Sequence, residues 1–170
     1  MEALKERILP LTLSGGVVMA DQISKFLMSR LLPYNRPVEV LGDFLRLTYV
    51  QNPVIAFSLG RNMPPWGRHT LTLALPLIVL GILGYYTFFA GGVTRAQRWI
   101  LAAIIGGGLG NYLDRMFRPG GVIDFIDVKF YGLLGFSRWP TFNLADTTVV
   151  VAGLLLLATY FICGVKKADE

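Results

Sequence analysis

The sequence predicts a membrane protein of the all-α class: a bundle of four transmembrane helices that carries a small extracytoplasmic β-sheet and loop. Its 170 residues are 54% hydrophobic and only 16% charged, which is the wrong balance for the surface of a soluble domain. Four stretches are apolar over the roughly 20 residues that a helix needs to cross a bilayer. A short turn joins the two middle stretches, and two long loops join the others.

We expect one integral membrane domain that covers residues 1–170. The predicted spans lie at about 8–32, 69–90, 97–117 and 142–165, with extracytoplasmic loops at 33–68 and 118–141. The first span also resembles a secretory signal that would be cleaved after Ala20. Because the apolar pattern resumes after this point with Ile23, Phe26, Leu27 and Met28, an uncleaved helix is the favoured interpretation.

Lysine and arginine residues predict the orientation in the membrane. They are densest in the short segments at the two termini and in the 91–96 turn, so these parts should be cytoplasmic. The two long loops then face the extracytoplasmic side. Within these loops, residues 45–50 alternate apolar and polar side chains, and residues 122–130 are rich in β-branched and aromatic types. Both patterns predict strands, and hence a small sheet resting on the helices.

Composition excludes several kinds of site. The net charge of +5 comes from basic residues dispersed among apolar runs, so no nucleic-acid partner is expected. Cys163 is the single cysteine and His69 the single histidine, which excludes a disulfide and makes a zinc cluster or a histidine-based triad untenable. We therefore expect no metal and no cofactor. Hydrolytic chemistry in this chain would have to use carboxylates.

Two carboxylates stand at hydrophobic boundaries and are the candidate catalytic pair. Asp124 lies in the apolar segment VIDFI, and Asp146 directly precedes the last apolar run. An acid that enters lipid loses its hydration, so such residues are candidates for function. Each also has a structural interpretation. Asp124 could be an exposed loop carboxylate, whereas Asp146 could belong to the first turn of a helix capped by Asn143, where the helix dipole favours acids.

Other polar residues share helical faces inside the predicted spans. Asp21 and Lys25 are four residues apart, the spacing of an ion pair on one face, and a buried pair that packs the first helix is the favoured interpretation. In the third span, Asn111, Asp114 and Arg115 also share one face, either as part of a site or by satisfying each other or a neighbouring loop. The small residues that precede them are Gly106 and Gly110, whose spacing lets another helix approach closely.

Two carboxylates within hydrogen-bond reach cannot both ionise easily, so one holds a proton while the other stays charged. The charged acid can take a proton from water as the water attacks a peptide carbonyl, and the protonated acid can donate to the developing oxyanion. The sequence does not decide which aspartate has which role, and such a pair titrates as a unit.

Five motifs follow one another along the chain: DQISK at 21–25, NPVIAFS at 52–58, GNYLDR at 110–115, VIDF at 122–125 and WPTFNLAD at 139–146. In this order they resemble the motifs of the bacterial lipoprotein signal peptidases (signal peptidase II), which are aspartic proteases of the cytoplasmic membrane. The resemblance covers nearly the whole chain.

The resemblance implies a role for each matching residue. It makes Asp124 and Asp146 the catalytic dyad. It implies that Asn111, Arg115 and Asn143 position the substrate and the dyad, and that Asp114 is a structural partner. The remaining matches imply support of the site by Asp21 and Lys25, and contact with it by a loop that contains Asn52, Ala56 and Phe57. One departure is Val54, which stands where the family usually has glycine; it puts the geometry of that loop in doubt.

The resemblance also implies the substrate, which is a prolipoprotein whose cysteine already carries a diacylglyceryl group. Cleavage would fall just before that cysteine, at the extracytoplasmic face of the inner membrane, and globomycin-type peptides would inhibit it. A substrate anchored in membrane lipid reaches a site at the same depth already oriented. We further expect the proline-rich 60–68 stretch to close over the site.

Two other classes of protein would also place acids within spans. A proton-coupled transporter would normally show repeated halves with broken helices in matching positions, and no such repeat is visible. A non-catalytic membrane scaffold would use its acids only for packing, which does not suit an Asp124 outside the bundle.

Overall fold

The computed structural model describes residues 6–53, 63–64, 66–67 and 70–168, without the side chains of 134 and 162–168. Four long helices and a three-stranded sheet make up this part of the chain. The helices are α1 (Leu11–Leu31), α2 (a π-helical turn, Thr70–Ala74, continued by the α-helix Leu75–Phe89), α3 (Arg95–Phe117) and α4 (Leu144–Ala168). The strands are β1 (Val38–Leu41), β2 (Leu45–Asn52) and β3 (Val122–Val128), and a 3-10 turn follows at Leu133–Gly135.

Each predicted span overlaps one of these helices, although α3 begins two residues before its span and α4 ends three residues after its own. Both predicted strands are present as β2 and β3. The sequence patterns did not predict β1, whose four side chains are all exposed. The sheet is antiparallel throughout, in the order β1-β2-β3. Three of the sequence predictions lie outside the described residues: the contacts of Ala56 and Phe57, the local geometry at Val54, and most of the proposed closing loop at 60–68.

Helix α3 is the central element, since it packs against α1, α2 and α4. Three consecutive glycines make these close approaches possible. A Cβ added to Gly106 would lie 2.9 Å from the backbone of α1 at Ser14, one at Gly107 would lie 2.7 Å from the carbonyl oxygen of Ala145 in α4, and one at Gly108 would lie 2.8 Å from Leu80 in α2. The predicted close approach at Gly106 is therefore confirmed, and Gly107 and Gly108 allow close approaches in the same way.

The described residues place polar groups inside and apolar groups outside. Twelve buried residues are polar or charged, whereas eight are hydrophobic. The outward faces of α2 and α4 carry large apolar side chains such as Ile78, which is 58% exposed, and Leu154, which is 63% exposed. An apolar surface of this extent is costly in water and is suited to lipid.

Judged by length and composition alone, two described helical segments could cross a membrane: Thr70–Phe89 and Leu144–Phe161. Helices α1 and α3 have comparable length but lower hydropathy, because the charged residues that they bury count against them. The four-span prediction is thus matched by four helices, of which two have the composition of a span.

The sheet lies at the end of the bundle where α1 and α3 finish and α4 begins. Strand β3 also pairs with the segment that leads into α4, through reciprocal backbone hydrogen bonds between Ile126 and Phe142 of 2.8 and 3.1 Å. Arg138 in the same segment also donates to the buried Asp127 of β3 at 2.7 Å. These contacts fix where α4 starts relative to β3.

The glycine contacts predict that replacing Gly107 by alanine destabilises the fold. Its new Cβ would overlap the backbone of α4, and overpacking of this kind costs about 1–3 kcal/mol. Gly153→Ala in α4 is the matched control, since a Cβ there meets nothing within 4 Å, and it should be neutral or stabilise by up to about 1 kcal/mol. Thermal unfolding of both variants in one detergent measures the difference. Equal unfolding temperatures would contradict the packing described here.

Candidate active site

The structure brings Asp124 and Asp146 to one place although they are distant in the sequence. Asp124 lies in the middle of β3 and is 3% exposed. Asp146 lies in the first turn of α4. Asn143 contacts both, since its side-chain Nδ2 donates to Asp124 Oδ1 at 2.8 Å and its backbone N–H donates to Asp146 Oδ2 at 3.1 Å. A single asparagine thus links the two candidate carboxylates.

Asn143 and Asp146 also form a reciprocal cap of α4. The side-chain oxygen of Asn143 accepts from the backbone N–H of Asp146 at 3.0 Å, while the carboxylate of Asp146 accepts from the backbone N–H of Asn143. This is the geometry of a capping box. The structural interpretation of Asp146 is therefore confirmed, and it does not compete with a role in the site. For Asp124 the alternative of an exposed loop carboxylate is wrong, because β3 buries it.

Asn111 in α3 holds the second oxygen of Asp146. Its Nδ2 donates to Asp146 Oδ1 at 2.7 Å, and its own side-chain oxygen accepts from Lys25 Nζ at 2.8 Å and from Asn143 Nδ2 at 3.1 Å. Because both acceptor positions of the amide oxygen are occupied by donors, the amide has one orientation, with its NH₂ group toward Asp146.

A fully buried cluster of charges lies beneath these amides. Lys25 Nζ is 2.8 Å from Asp21 Oδ2 and 2.9 Å from Asp114 Oδ2, and all three side chains have no exposed surface. Together with Asn111, the two carboxylates accept all three protons of the ammonium group. The predicted Asp21–Lys25 ion pair is confirmed, and Asp114 is a third member that joins α3 to α1.

The two buried carboxylates also bind the backbone of other elements. Asp21 Oδ1 accepts from the N–H of Ala145 in α4 at 3.1 Å, and Asp114 Oδ2 accepts from the N–H of Ile123 in β3 at 3.2 Å. Ala145 directly precedes Asp146, and Ile123 directly precedes Asp124. The charge cluster therefore fixes the chain one residue before each candidate catalytic residue.

Gly110 explains how the cluster fits between the helices. A Cβ at this position would lie 2.6 Å from Asp21 Oδ2 and 3.4 Å from the side chain of Ala145. Only glycine leaves room for the carboxylate to reach across α3 to the start of α4. The predicted close approach at Gly110 is confirmed, and its reason is a side chain rather than a helix backbone.

Arg115 does not pair with the adjacent Asp114, which was one of the alternatives that its helical spacing left open. Asp114 pairs with Lys25 and with Arg118, whose Nε lies 2.9 Å away, and the pairing of Asp114 with Arg115 is therefore wrong. Arg115 instead donates from Nη1 to the backbone oxygen of Asn111 at 3.3 Å, and its buried Nε has no hydrogen-bond partner among the described residues. Its positive charge interacts with the carboxylates of Asp146 and Asp124.

Asp124 is the carboxyl group whose environment favours the protonated form. Its pKa is raised from 3.8 to about 7, chiefly by burial and also by the nearby charge of Asp146. Hydrogen bonds from Asn52 and Asn143 oppose the shift; Asn52 Nδ2 lies 3.2 Å from Asp124 Oδ2. Asn52 stands at the end of β2, which confirms that this part of the second motif contacts the site.

An apolar cavity of about 390 Å³ adjoins Asp146. It lies between the end of the sheet and the outer face of α4, and it opens beside residues that the bundle leaves exposed, such as Val150. Its lining residues are Val128, Phe130, Trp139, Phe142, Asp146, Thr147, Val150 and Val151. A polar pair beside an apolar cavity suits a substrate that has both a peptide bond and hydrocarbon.

Gln22 and Arg118 belong to the site's support, and sequence reasoning did not select them. Gln22 Nε2 lies 3.1 Å from Asp114 Oδ1, and its Oε1 accepts from Arg118 Nη2 at 3.4 Å. The spacing of Arg118, four residues after Asp114, was a signal that could have found it. Within the described residues, no group of three or more His, Cys, Asp or Glu side chains is arranged to hold a metal ion.

Comparison with known proteins gives consistent results. A family model described as signal peptidase (SPase) II matches residues 13–162. A lipoprotein signal peptidase of Treponema pallidum is 43% identical over 92% of this chain and 84% of its own length. One from Treponema denticola is 42% identical over 98% of this chain and 96% of its own length.

Solved structures share the fold. A bacterial membrane enzyme determined by the in meso method at 2.3 Å resolution superposes with a TM-score of 0.78, at 23% identity over 95% of this chain and 93% of the other. A second such enzyme at 1.9 Å resolution gives a TM-score of 0.74 at 24% identity, over 89% and 92% of the two chains. At this identity the similarity establishes the architecture only.

The charge cluster predicts that Lys25→Met is strongly destabilising. It would leave two carboxylates buried without their cation, and breaking a buried pair in this way costs about 3–5 kcal/mol. Adding Asp114→Asn should recover part of the loss, because one of the two unpaired charges is removed. Lys129→Met is the control, since Lys129 is part-exposed and pairs with exposed Asp43, and it should cost no more than about 1 kcal/mol. The free energy of unfolding of the three variants, measured in one detergent, tests this prediction. If Lys25→Met lost as little stability as Lys129→Met, the role of the cluster would be refuted.

Proposed function

The chain belongs to the signal peptidase II family, and on that premise we propose that Asp124 and Asp146 are the catalytic dyad of an aspartic endopeptidase. The enzyme removes the signal peptide from diacylglyceryl-modified prolipoproteins by cleaving the peptide bond just before the lipid-bearing cysteine. The observation that carries the proposal is the bridge through Asn143, which joins the two carboxylates of β3 and α4. Membership of a peptidase family also disfavours the transporter and scaffold alternatives.

The environments of the two acids support different starting states. Asp124 is buried, and its raised pKa favours a bound proton near neutral pH. Asp146 sits at the N-terminus of α4 and accepts N–H donors at both oxygens, which favours negative charge there. We therefore assign Asp124 as the acid and Asp146 as the base at the start of the reaction, while the pair shares its proton as a unit.

The reaction then proceeds in two proton-transfer steps. Asp146 takes a proton from a water molecule as the water oxygen adds to the scissile carbonyl carbon, and Asp124 donates its proton to the carbonyl oxygen. Asp146 next gives its proton to the departing nitrogen of the cysteine, and the carbon–nitrogen bond breaks. Asp124 recovers its proton from the hydroxyl group as the new carboxyl group forms. Water is the only co-reactant that the reaction consumes.

The surrounding polar residues position these groups. Asn111 and Asn143 hold the carboxylates, and the unpaired Nε of Arg115 is suited to donate to a carbonyl oxygen of the substrate or to the developing oxyanion. The buried charges of Asp21, Lys25 and Asp114 would support the dyad indirectly, by fixing the helices and the strand that carry it. The second-motif loop, including Ala56 and Phe57, would contact the substrate backbone.

The apolar cavity beside Asp146 supports a lipid-linked substrate. Its aromatic and β-branched lining accommodates hydrocarbon next to the reacting bond, and the lipid-suited face of α4 lets the substrate enter from the bilayer. Globomycin-type peptides, which combine a peptide and an apolar chain, would bind across the same site as inhibitors. All four helices would span the inner membrane, with both termini cytoplasmic and the dyad near the extracytoplasmic surface.

The dyad predicts that Asp124→Asn and Asp146→Asn each abolish processing of a prolipoprotein. Either change removes an acid or base from the proton transfers, so the rate should fall by at least about 100-fold. Cleavage of a diacylglyceryl-modified substrate in detergent or vesicles is the measurement, with thermal unfolding to establish that each variant is folded. Asp43→Asn is the matched control, because Asp43 is an exposed carboxylate of the same sheet region, and its variant should cleave like the wild type. Retained cleavage in either dyad variant would end the assignment.

The pKa of Asp124 predicts a pH dependence of stability that is separate from activity. Because its folded-state pKa, about 7, lies above the ordinary 3.8, the folded protein holds this proton more tightly than the unfolded chain does. Stability from this group is therefore complete at low pH and is lost as the pH rises to about 7. The unfolding temperature of Asp124→Asn should lack this decline, since asparagine has no proton to lose. Measurements at about pH 5 and about pH 8 test it, and parallel declines in variant and wild type would contradict the shift.

The same proton predicts the alkaline limb of the activity profile. Loss of the proton from Asp124 leaves two charged carboxylates and no acid, so the cleavage rate should decrease as the pH rises through about 7. Initial rates at substrate concentrations well below KM give this limb, because they report the protonation of the free enzyme. A rate that keeps rising well above that pH would contradict a protonated Asp124 as the acid.

A further inference from the structure

Another cavity, with a polar lining, lies at the opposite end of the helices from the candidate active site. It has a volume of about 180 Å³, several times the ~30 Å³ that a water molecule occupies in the liquid. Its lining residues are Glu6, Arg7, Val93, Arg95 and Arg98. Three arginines thus line one small cavity, together with one exposed glutamate.

The fold holds two of these guanidinium groups in place. Arg98 is only 9% exposed and donates to the backbone oxygens of Thr87 and Ala90, and Arg7 donates to the backbone oxygen of Phe88 at 2.8 Å. These carbonyl groups form the C-terminal end of α2, which attracts cations. The contacts use one or two of the five N–H donors of each group and leave the others available to the cavity.

Capping of α2 does not account for Arg95. Arg95 is the first residue of α3, where the positive end of the helix dipole disfavours a cation, and the first turn of α3 has no acidic residue. Among the described residues, Arg7, Arg95 and Arg98 make no ion pair, although Glu6 lines the same cavity. The three like charges repel one another unless an anion lies between them.

We propose that this arginine-lined cavity binds a phosphate group, supplied by the headgroup of an anionic phospholipid. Guanidinium groups match the geometry of phosphate oxygens and bind them with charge-assisted hydrogen bonds. Basic pockets between membrane helices are known to take anionic headgroups. Arg95 lies about 24 Å from Asn111 along α3, at about 1.5 Å per residue, which puts the cavity near the bilayer surface opposite the dyad. The site is thus separate from the catalytic one.

Native mass spectrometry of the full chain in neutral detergent tests the site, with phosphatidylglycerol and phosphatidylcholine supplied in equal amounts. The wild type should retain phosphatidylglycerol in preference, and Arg95→Gln should weaken this binding about fivefold, as expected for one arginine at a lipid phosphate. Arg95→Lys keeps the charge and should retain most of the binding. Arg36→Gln is the matched control, since Arg36 is an exposed arginine beyond the far end of α1, and it should bind like the wild type.

Inorganic phosphate, added without lipid, identifies the source of the phosphate group. Binding of phosphate alone with the same dependence on Arg95, without preference for phosphatidylglycerol, would support the phosphate site and replace the lipid as its ligand. Equal retention of the two lipids with no phosphate binding would overturn the proposal, as would equal losses in Arg95→Gln and Arg36→Gln. Because the side chain of Arg95 is exposed and makes no hydrogen bond or ion pair among the described residues, its variants should unfold at the wild-type temperature. The cleavage assay is not needed, so the outcome is independent of the proposed function.

Discussion

The rest of the structure depends on the buried contacts that the ammonium group of Lys25 makes. Its three protons go to Asp21, Asp114 and Asn111, and through these acceptors it orders α1, α3, α4 and β3 around one buried point. Removing such charges from water is costly, and the cost is offset only where every donor and acceptor is used. Here the two carboxylates also accept backbone N–H groups immediately before each candidate catalytic residue. The stability of the bundle and the geometry of the site therefore have a common origin.

In a bilayer, buried polar contacts of this kind are an effective way to hold helices together. Lipid chains are as apolar as leucine, so burying leucine between helices provides little driving force, and close packing with interhelical hydrogen bonds takes its place. The glycines of α3 meet that requirement, because they bring three other helices near enough for polar side chains to reach across. The same glycines lower the intrinsic helix propensity of α3, since glycine costs about 1 kcal/mol relative to alanine within a helix. The close approach of Asp21 at Gly110 shows why a larger residue could not serve there.

Sequence patterns could predict the elements and several local pairs, because these depend on spacing along one chain segment. The ion pair of Asp21 with Lys25, the capping of α4 by Asn143 and the strands β2 and β3 are of this kind. Contacts between segments could not be predicted. Helical periodicity put Asp114 on a polar face, but it did not show that Lys25 of another helix would be its partner instead of the adjacent Arg115. The burial of Asp124 likewise depends on how β3 pairs with β2 and with the segment before α4, which no pattern within VIDFI reveals.

The capping box at the start of α4 has a further consequence for the chemistry. A cap needs its carboxylate fixed against backbone N–H groups, and a general base needs a carboxylate that can accept a proton without moving. Asp146 meets both needs with one geometry, since Asn143 and Asn111 hold its two oxygens from different elements. Its partner Asp124 is held by β3, where burial favours the neutral acid. The two carboxyl groups thus differ in their surroundings, because Asp146 lies in the first turn of a helix and Asp124 lies within a buried strand. The roles proposed for the two residues depend on this difference.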